Sequence, residues 1–118
     1  MKKGLLLIAL AMIILFSFVG CSSQLGVING TISKINSSSS SVTFYGKDGQ
    51  NIEVKYTSSV KEGTLILNLT DNDGVIVETF EAGVSSSKTI RLSKDDKYIL
   101  SVTYENFTGS YQIKALES

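Results

Sequence analysis

The stretch TLILNLT-DNDG-VIVETF, residues Thr64 to Phe80, decides the fold class. Leu65, Leu67 and Leu69 fall on every second residue, which places all three on one face of an extended chain. Asp71-Asn72-Asp73-Gly74 breaks the run, and Val75 to Phe80 returns with β-branched residues. A loop ending in Asp-Gly between two apolar runs is among the strongest short-range hairpin signals. Apolar residues at i, i+3 and i+4, which a helix would need, do not occur here.

The same period continues on both sides. Upstream, Ile52-Glu53-Val54-Lys55-Tyr56 alternates apolar with charged, and the turn Lys47-Asp48-Gly49-Gln50 joins it to Val42–Gly46 as a second hairpin. Val27 to Ile35 reads as a first strand with a bulge at Gly30. Downstream, Ile90 and Leu92 point inward on one strand, and Tyr98, Leu100, Val102 and Tyr104 on the next. Asn106-Phe107-Thr108-Gly109 reads as a turn, after which Tyr111, Ile113 and Ala115 continue the inward row. Polar connections are expected at Thr57–Gly63. The serine runs 37–41 and 85–87 read as loops, because they lack apolar residues to order themselves. The sum is an all-β domain: an antiparallel β-sandwich of about seven to eight short strands, jelly-roll-like or Ig-like.

Composition narrows the function. The chain has 118 residues with 11 basic and 11 acidic side chains, no His, no Trp, no Pro and one Cys. Without His, the commonest general base near neutral pH and the commonest transition-metal ligand are missing. A lone Cys makes no internal disulfide, so the fold rests on packing. The lysines are scattered singly, and no basic stripe of the kind nucleic acid needs is formed.

The first residues have a different character. Lys2 and Lys3 precede an apolar run from Gly4 to Phe16, and Ser17-Phe18-Val19-Gly20 leads to Cys21. A positive start, an apolar stretch of about 7–15 residues and small residues at a cut make a signal peptide. Phe18-Val19-Gly20-Cys21 resembles the lipobox of bacterial lipoproteins, with Phe18 where leucine is usual. The resemblance implies cleavage between Gly20 and Cys21, acyl chains on Cys21, and an extracytoplasmic domain held at the cell membrane. It divides the chain into a signal peptide (1–20, a helix before the sandwich), a lipidated Cys with a short tether (21–26) and a β-sandwich domain (27–118). The mature chain of 98 residues would carry 9 basic against 11 acidic groups. From Glu62 to Ala115 the chain also resembles the jelly-roll-like modules of secreted bacterial proteins, including pre-peptidase C-terminal modules, through Gly63, Asp73, Gly74, Tyr98, Gly109 and Tyr111. These are turn and core positions, so this second resemblance implies a fold and no activity.

Few residues offer chemistry. Asp71, Asn72 and Asp73 are the one run of oxygen ligands that a Ca²⁺ ion would accept, although hairpin turns select the same residues for backbone reasons. The acidic residues otherwise fall in turns or outward strand positions, which argues against the converging carboxylates of a glycosidase. A serine nucleophile would lack its histidine base. Phe44, Tyr45 and Phe107 are the aromatics whose direction is ambiguous; they read first as caps on the end of the core, and Tyr45 and Phe107 are the candidates for surface contacts with a sugar or a protein. The expected function is therefore a lipid-anchored, non-catalytic binding or scaffold module at the cell envelope. It needs no metal or cofactor, and its partner is an envelope protein or a glycan. An enzyme using acidic residues or Ca²⁺, and an inhibitor or immunity-type lipoprotein, are the alternatives.

Overall fold

A computed structural model describes residues 23–118; the expected signal peptide, Gly20 and Cys21 lie outside the described residues. The chain is all-β, with no helix among the described residues. It runs as β1 (Gln24–Gly46), β2 (Asn51–Thr70), β3 (Ile76–Phe80), β4 (Ser85–Arg91) and β5 (Asp96–Glu117). All five pair antiparallel in one hydrogen-bonded sheet of order β1-β5-β2-β3, with β4 also on β2.

The expected seven to eight short strands are thus five, three of them 20 residues or longer. The segments read as breaks are where the long strands bend. Register shifts fall between Ile32 and Ser38 on β1, and between Val60 and Thr64 on β2. On β5 the bend carries Asn106 with φ 49° and Gly109 with φ 146°. A bulge of this kind adds a residue to one strand and bends it without ending the pairing. It also switches which residues face inward. Tyr98, Leu100, Val102 and Tyr104 point in before the bend, and Phe107, Tyr111, Ile113 and Ala115 after it. Gly109 has no freedom to change, because a Cβ there would fall on the carbonyl oxygen of Ser59.

The bends divide the sheet into two halves. One contains 24–32, 51–60, 85–91 and 109–117; the other contains 38–46, 64–70, 76–80 and 96–105. The connections bring the outer ends of the two halves together. Gly46 is at the outer end of the second half and Asn51 at the outer end of the first, yet four residues join them. Four residues span at most about 18 Å, whereas a flat β5 alone would measure on the order of 70 Å. Arg91 and Asp96 repeat the constraint. The inner faces meet over one core that includes Ile52, Val54, Leu67, Leu69, Leu92, Tyr98, Leu100, Val102, Phe107 and Ile113. Gly26 of the first half sits so close to Val42 of the second that a Cβ would come within 2.8 Å of its methyl.

Both serine runs belong to strands, contrary to the loop expectation. Ser38 to Ser41 pair with Ser101 to Tyr104 on β5, and Ser85 to Ser87 pair with Lys55 to Thr57 on β2. These are edge segments, whose order comes from the backbone ladder of a buried neighbour and not from their own side chains. Gly30 is regularly paired with Tyr111 and is not a bulge. The first strand begins three residues before the expected Val27, and the Glu117 N–H donates to the Ser23 carbonyl at 2.9 Å.

Candidate functional site

The turn that decides the fold also builds an ionic cluster. In 71–74 the Asp71 carboxylate folds back on its own turn, and its Oδ1 accepts from the N–H groups of Asp73 (2.9 Å) and Val75 (3.0 Å). Asp96 at the start of β5 reaches the same place, accepting from the Lys97 N–H at 2.9 Å and the Asn72 N–H at 3.4 Å. One carboxylate oxygen from each of Asp71, Asp73 and Asp96 lies within 4.8 Å of the others. The Lys94 ammonium sits among them, at 3.0 Å from Asp71, 3.6 Å from Asp73 and 3.3 Å from Asp96. Of the expected Ca²⁺ ligands, Asp71 and Asp73 do come together, and Asp96, distant in sequence, joins them. Asn72 presents a backbone N–H to the cluster, which repels a cation. The place a metal would take is held by Lys94.

The cluster sets the charge states. Hydrogen bonding from the Val75 N–H, followed by Lys94, holds the Asp71 carboxyl below its ordinary value of 3.8. The Lys97 N–H does most to lower Asp96 in the same way. Lys94 is raised above its ordinary 10.5 by its bonds to Asp71 and Asp96. The signs fix a stability window. The carboxylates contribute stability above about pH 4 and lose it as pH falls through their lowered values. Lys94 contributes below about pH 10.5 and loses its share as pH rises through its raised value. The urea midpoint should therefore be flat between these limits and fall outside them. A Lys94→Met variant should be less stable than the wild type at pH 7, with the difference shrinking on acidification. An unchanged difference down to pH 2 would show that the methylenes of Lys94, and not its charge, are what matter.

The two candidate aromatics part company. Tyr45 is 80% exposed near the outer end of β1, beside a depression of about 530 Å³ that Lys47, Asn72, Asp95 and Lys97 also line. Phe107 is not a surface residue: it is fully buried, with ring centroids 5.3 Å from Tyr104 and 6.3 Å from Tyr111. The parity switch at Asn106 turns it inward, where a simple turn would have left it outside.

A feature missed from the sequence lies on the outer face of the first half-sheet. A trough there has a section of about 520 Å³ lined by Asn29, Thr31, Thr57, Ser59, Ser110 and Gln112, with Gly30, Ser58 and Tyr111 beneath. It continues past Thr31, Ser59 and Ser110 toward the bend. In the other direction it passes Thr57 and Gln112 to Lys55, Lys114 and the β4 serines. The register explains the grouping. Thr57 stands opposite Gln112, Ser59 opposite Ser110, Asn29 opposite Gln112 and Thr31 opposite Ser110. Hydroxyls and amides both donate and accept, so this surface matches ligands with many hydroxyl groups. The outward half of each alternating strand carried the signal, but the pairing that assembles it was not visible.

No protein-family model matches the sequence, and no curated protein matches it. Solved structures do resemble the fold. The pre-peptidase C-terminal domain of a collagenase from Bacillus anthracis aligns with a TM-score of 0.54 and 16% identity, covering 79% of this chain and 90% of that one. PliG from Aeromonas hydrophila, a periplasmic inhibitor of g-type lysozyme, aligns with a TM-score of 0.51 and 12% identity, covering 80% of this chain and 86% of that one. At these identities the likeness is one of fold alone.

Proposed function

We propose that the chain is a non-catalytic binding module of the cell envelope, a jelly-roll-like sandwich anchored to the membrane by lipid on Cys21, that holds a hydroxyl-rich partner in the outer trough. The observation that carries the reading is the trough, whose central section is lined by uncharged hydrogen-bonding side chains from three strands. Among the described residues, the carboxylates that converge surround the Lys94 ammonium and not an open cleft. That arrangement supports binding over hydrolysis. Folds of this kind serve a collagenase's pre-peptidase C-terminal domain and a lysozyme inhibitor in the two structures compared, which fits the same reading.

Cys21 stands two residues before Ser23, which is itself bonded to the end of β5. An acylated Cys21 would hold the sheet directly on the membrane, with almost no tether. One acyl chain anchors marginally and two or more hold stably. Cell fractionation tests the anchor: the wild-type chain should sediment with membranes and a Cys21→Ala variant should not. Retention on isolated cell-wall glycan tests the binding. The full chain in nonionic detergent should be retained, and Thr57→Arg, which blocks the trough from an exposed position, should abolish retention. Equal retention of both proteins would count against the trough.

A further inference from the structure

Lys55 on β2 and Lys114 on β5 are direct cross-strand partners on the outer face of the first half-sheet. Their neighbours Val54, Tyr56, Ile113 and Ala115 are buried on the inner face. Like charges directly opposite each other destabilise a sheet. Lys55 has one ion pair, with Glu53 at 3.8 Å, and Lys114 has none among the described residues. Folding does not account for this juxtaposition. The two lysines instead line one section of the trough, about 410 Å³, together with Thr57, Gln112 and the serines of β4. That section shares Thr57 and Gln112 with the uncharged 520 Å³ section beside it.

We propose that the trough takes an acidic saccharide, with an anionic group of the sugar chain between Lys55 and Lys114 and the hydroxyls of adjoining sugars along Thr57, Ser59, Ser110 and Gln112. An anion between the ammonium groups turns a repulsive pair into two charge-assisted hydrogen bonds. The neutral section disfavours a nucleic acid, whose binding is carried mainly by cations on its phosphates. A phospholipid headgroup could reach the lysines, because Lys114 pairs with Val27 close to where the proposed anchor leaves the sheet, but it would leave unused the hydroxyl-lined section that runs from them toward the bend. This inference rests on the trough being the binding surface, and goes further in naming the ligand's charge and where it sits.

Isothermal titration of the full chain in nonionic detergent tests it, with tetragalacturonate as the acidic probe and its methyl ester as the neutral one. The wild type should bind the acid at least about tenfold more tightly than the ester, since a charge-assisted bond supports that ratio. Lys55→Gln and Lys114→Gln should each lose most of that preference, and binding of the acid should weaken with salt. Lys114→Gln should melt no lower than the wild type, because it removes a like-charge contact; a marked loss of stability would make Lys114 structural and overturn the proposal. Equal binding of acid and ester would overturn the anion subsite and leave the trough reading standing. Binding of inorganic phosphate or phosphatidylglycerol vesicles as tight as that of tetragalacturonate would overturn the sugar part. Absence of binding to the acid would overturn the whole.

Discussion

A Gly109→Ala variant should fail to fold, or should lose about 4 kcal/mol or more of the 5–15 kcal/mol that a domain of this size has. Two effects add. The φ of 146° lies where side-chain-bearing residues are strained by about 1–3 kcal/mol. The new methyl would also land on the Ser59 carbonyl oxygen, across the ladder that ties β5 to β2 at the bend. The strands cannot separate there without opening the fold. Gly74→Ala is the control. Its φ is 83°, also positive, but nothing lies within 4 Å of the added carbon, so it should cost only about 1–2 kcal/mol. Urea denaturation followed by circular dichroism measures both. Similar midpoints for the two variants would show that the bend yields and is not a fixed element.

The second large effect is expected at Phe107. Truncation to Ala should cost about 3–5 kcal/mol, the usual range for a fully buried aromatic. Its ring completes a cluster with Tyr104 and Tyr111 under the bend. Phe107→Leu should recover much of the loss. Tyr45→Ala, removing a ring that is 80% exposed, should change stability by no more than about 0.5 kcal/mol. A small effect at Phe107 would mean that the two ends of the core stabilise each other less than their packing indicates.

These two residues also mark what the sequence could reveal. The inward rows were legible wherever apolar residues alternated with polar ones: Leu65 to Leu69, Ile52 to Tyr56 and Tyr98 to Tyr104 are all buried as the period requires. The period fails at a bulge, because one added residue moves every later side chain to the other face. Asn106 and Gly109 look the same in sequence whether they end a strand or bend it. Reading them as an end gave too many strands and left the direction of Phe107 undecided. The serine runs were misread for a related reason. Their order comes from hydrogen bonds to Lys55–Thr57 and Ser101–Tyr104, and no local composition reports a partner so far along the chain. The candidate site followed the same rule. Asp71 and Asp73 were visible as a pair, whereas Asp96 and Lys94, which complete their cluster, were not. Lys55 and Lys114 became neighbours only through the register of two long strands.

The bent strands have a mechanical consequence. The chain enters the sheet at Gln24, opposite Leu116, and the trough extends from there toward the bend. A load between an anchor at Cys21 and a polymer held in the trough would therefore run parallel to the strands. Tension in that direction shears the first half of the β1–β5 ladder, whose pairs extend from Gln24 to Ile32 before the bend, and loads several hydrogen bonds at once. A pull across the strands would open them one at a time. The geometry gives a small domain, without disulfides, the stronger of the two ways to resist being pulled apart.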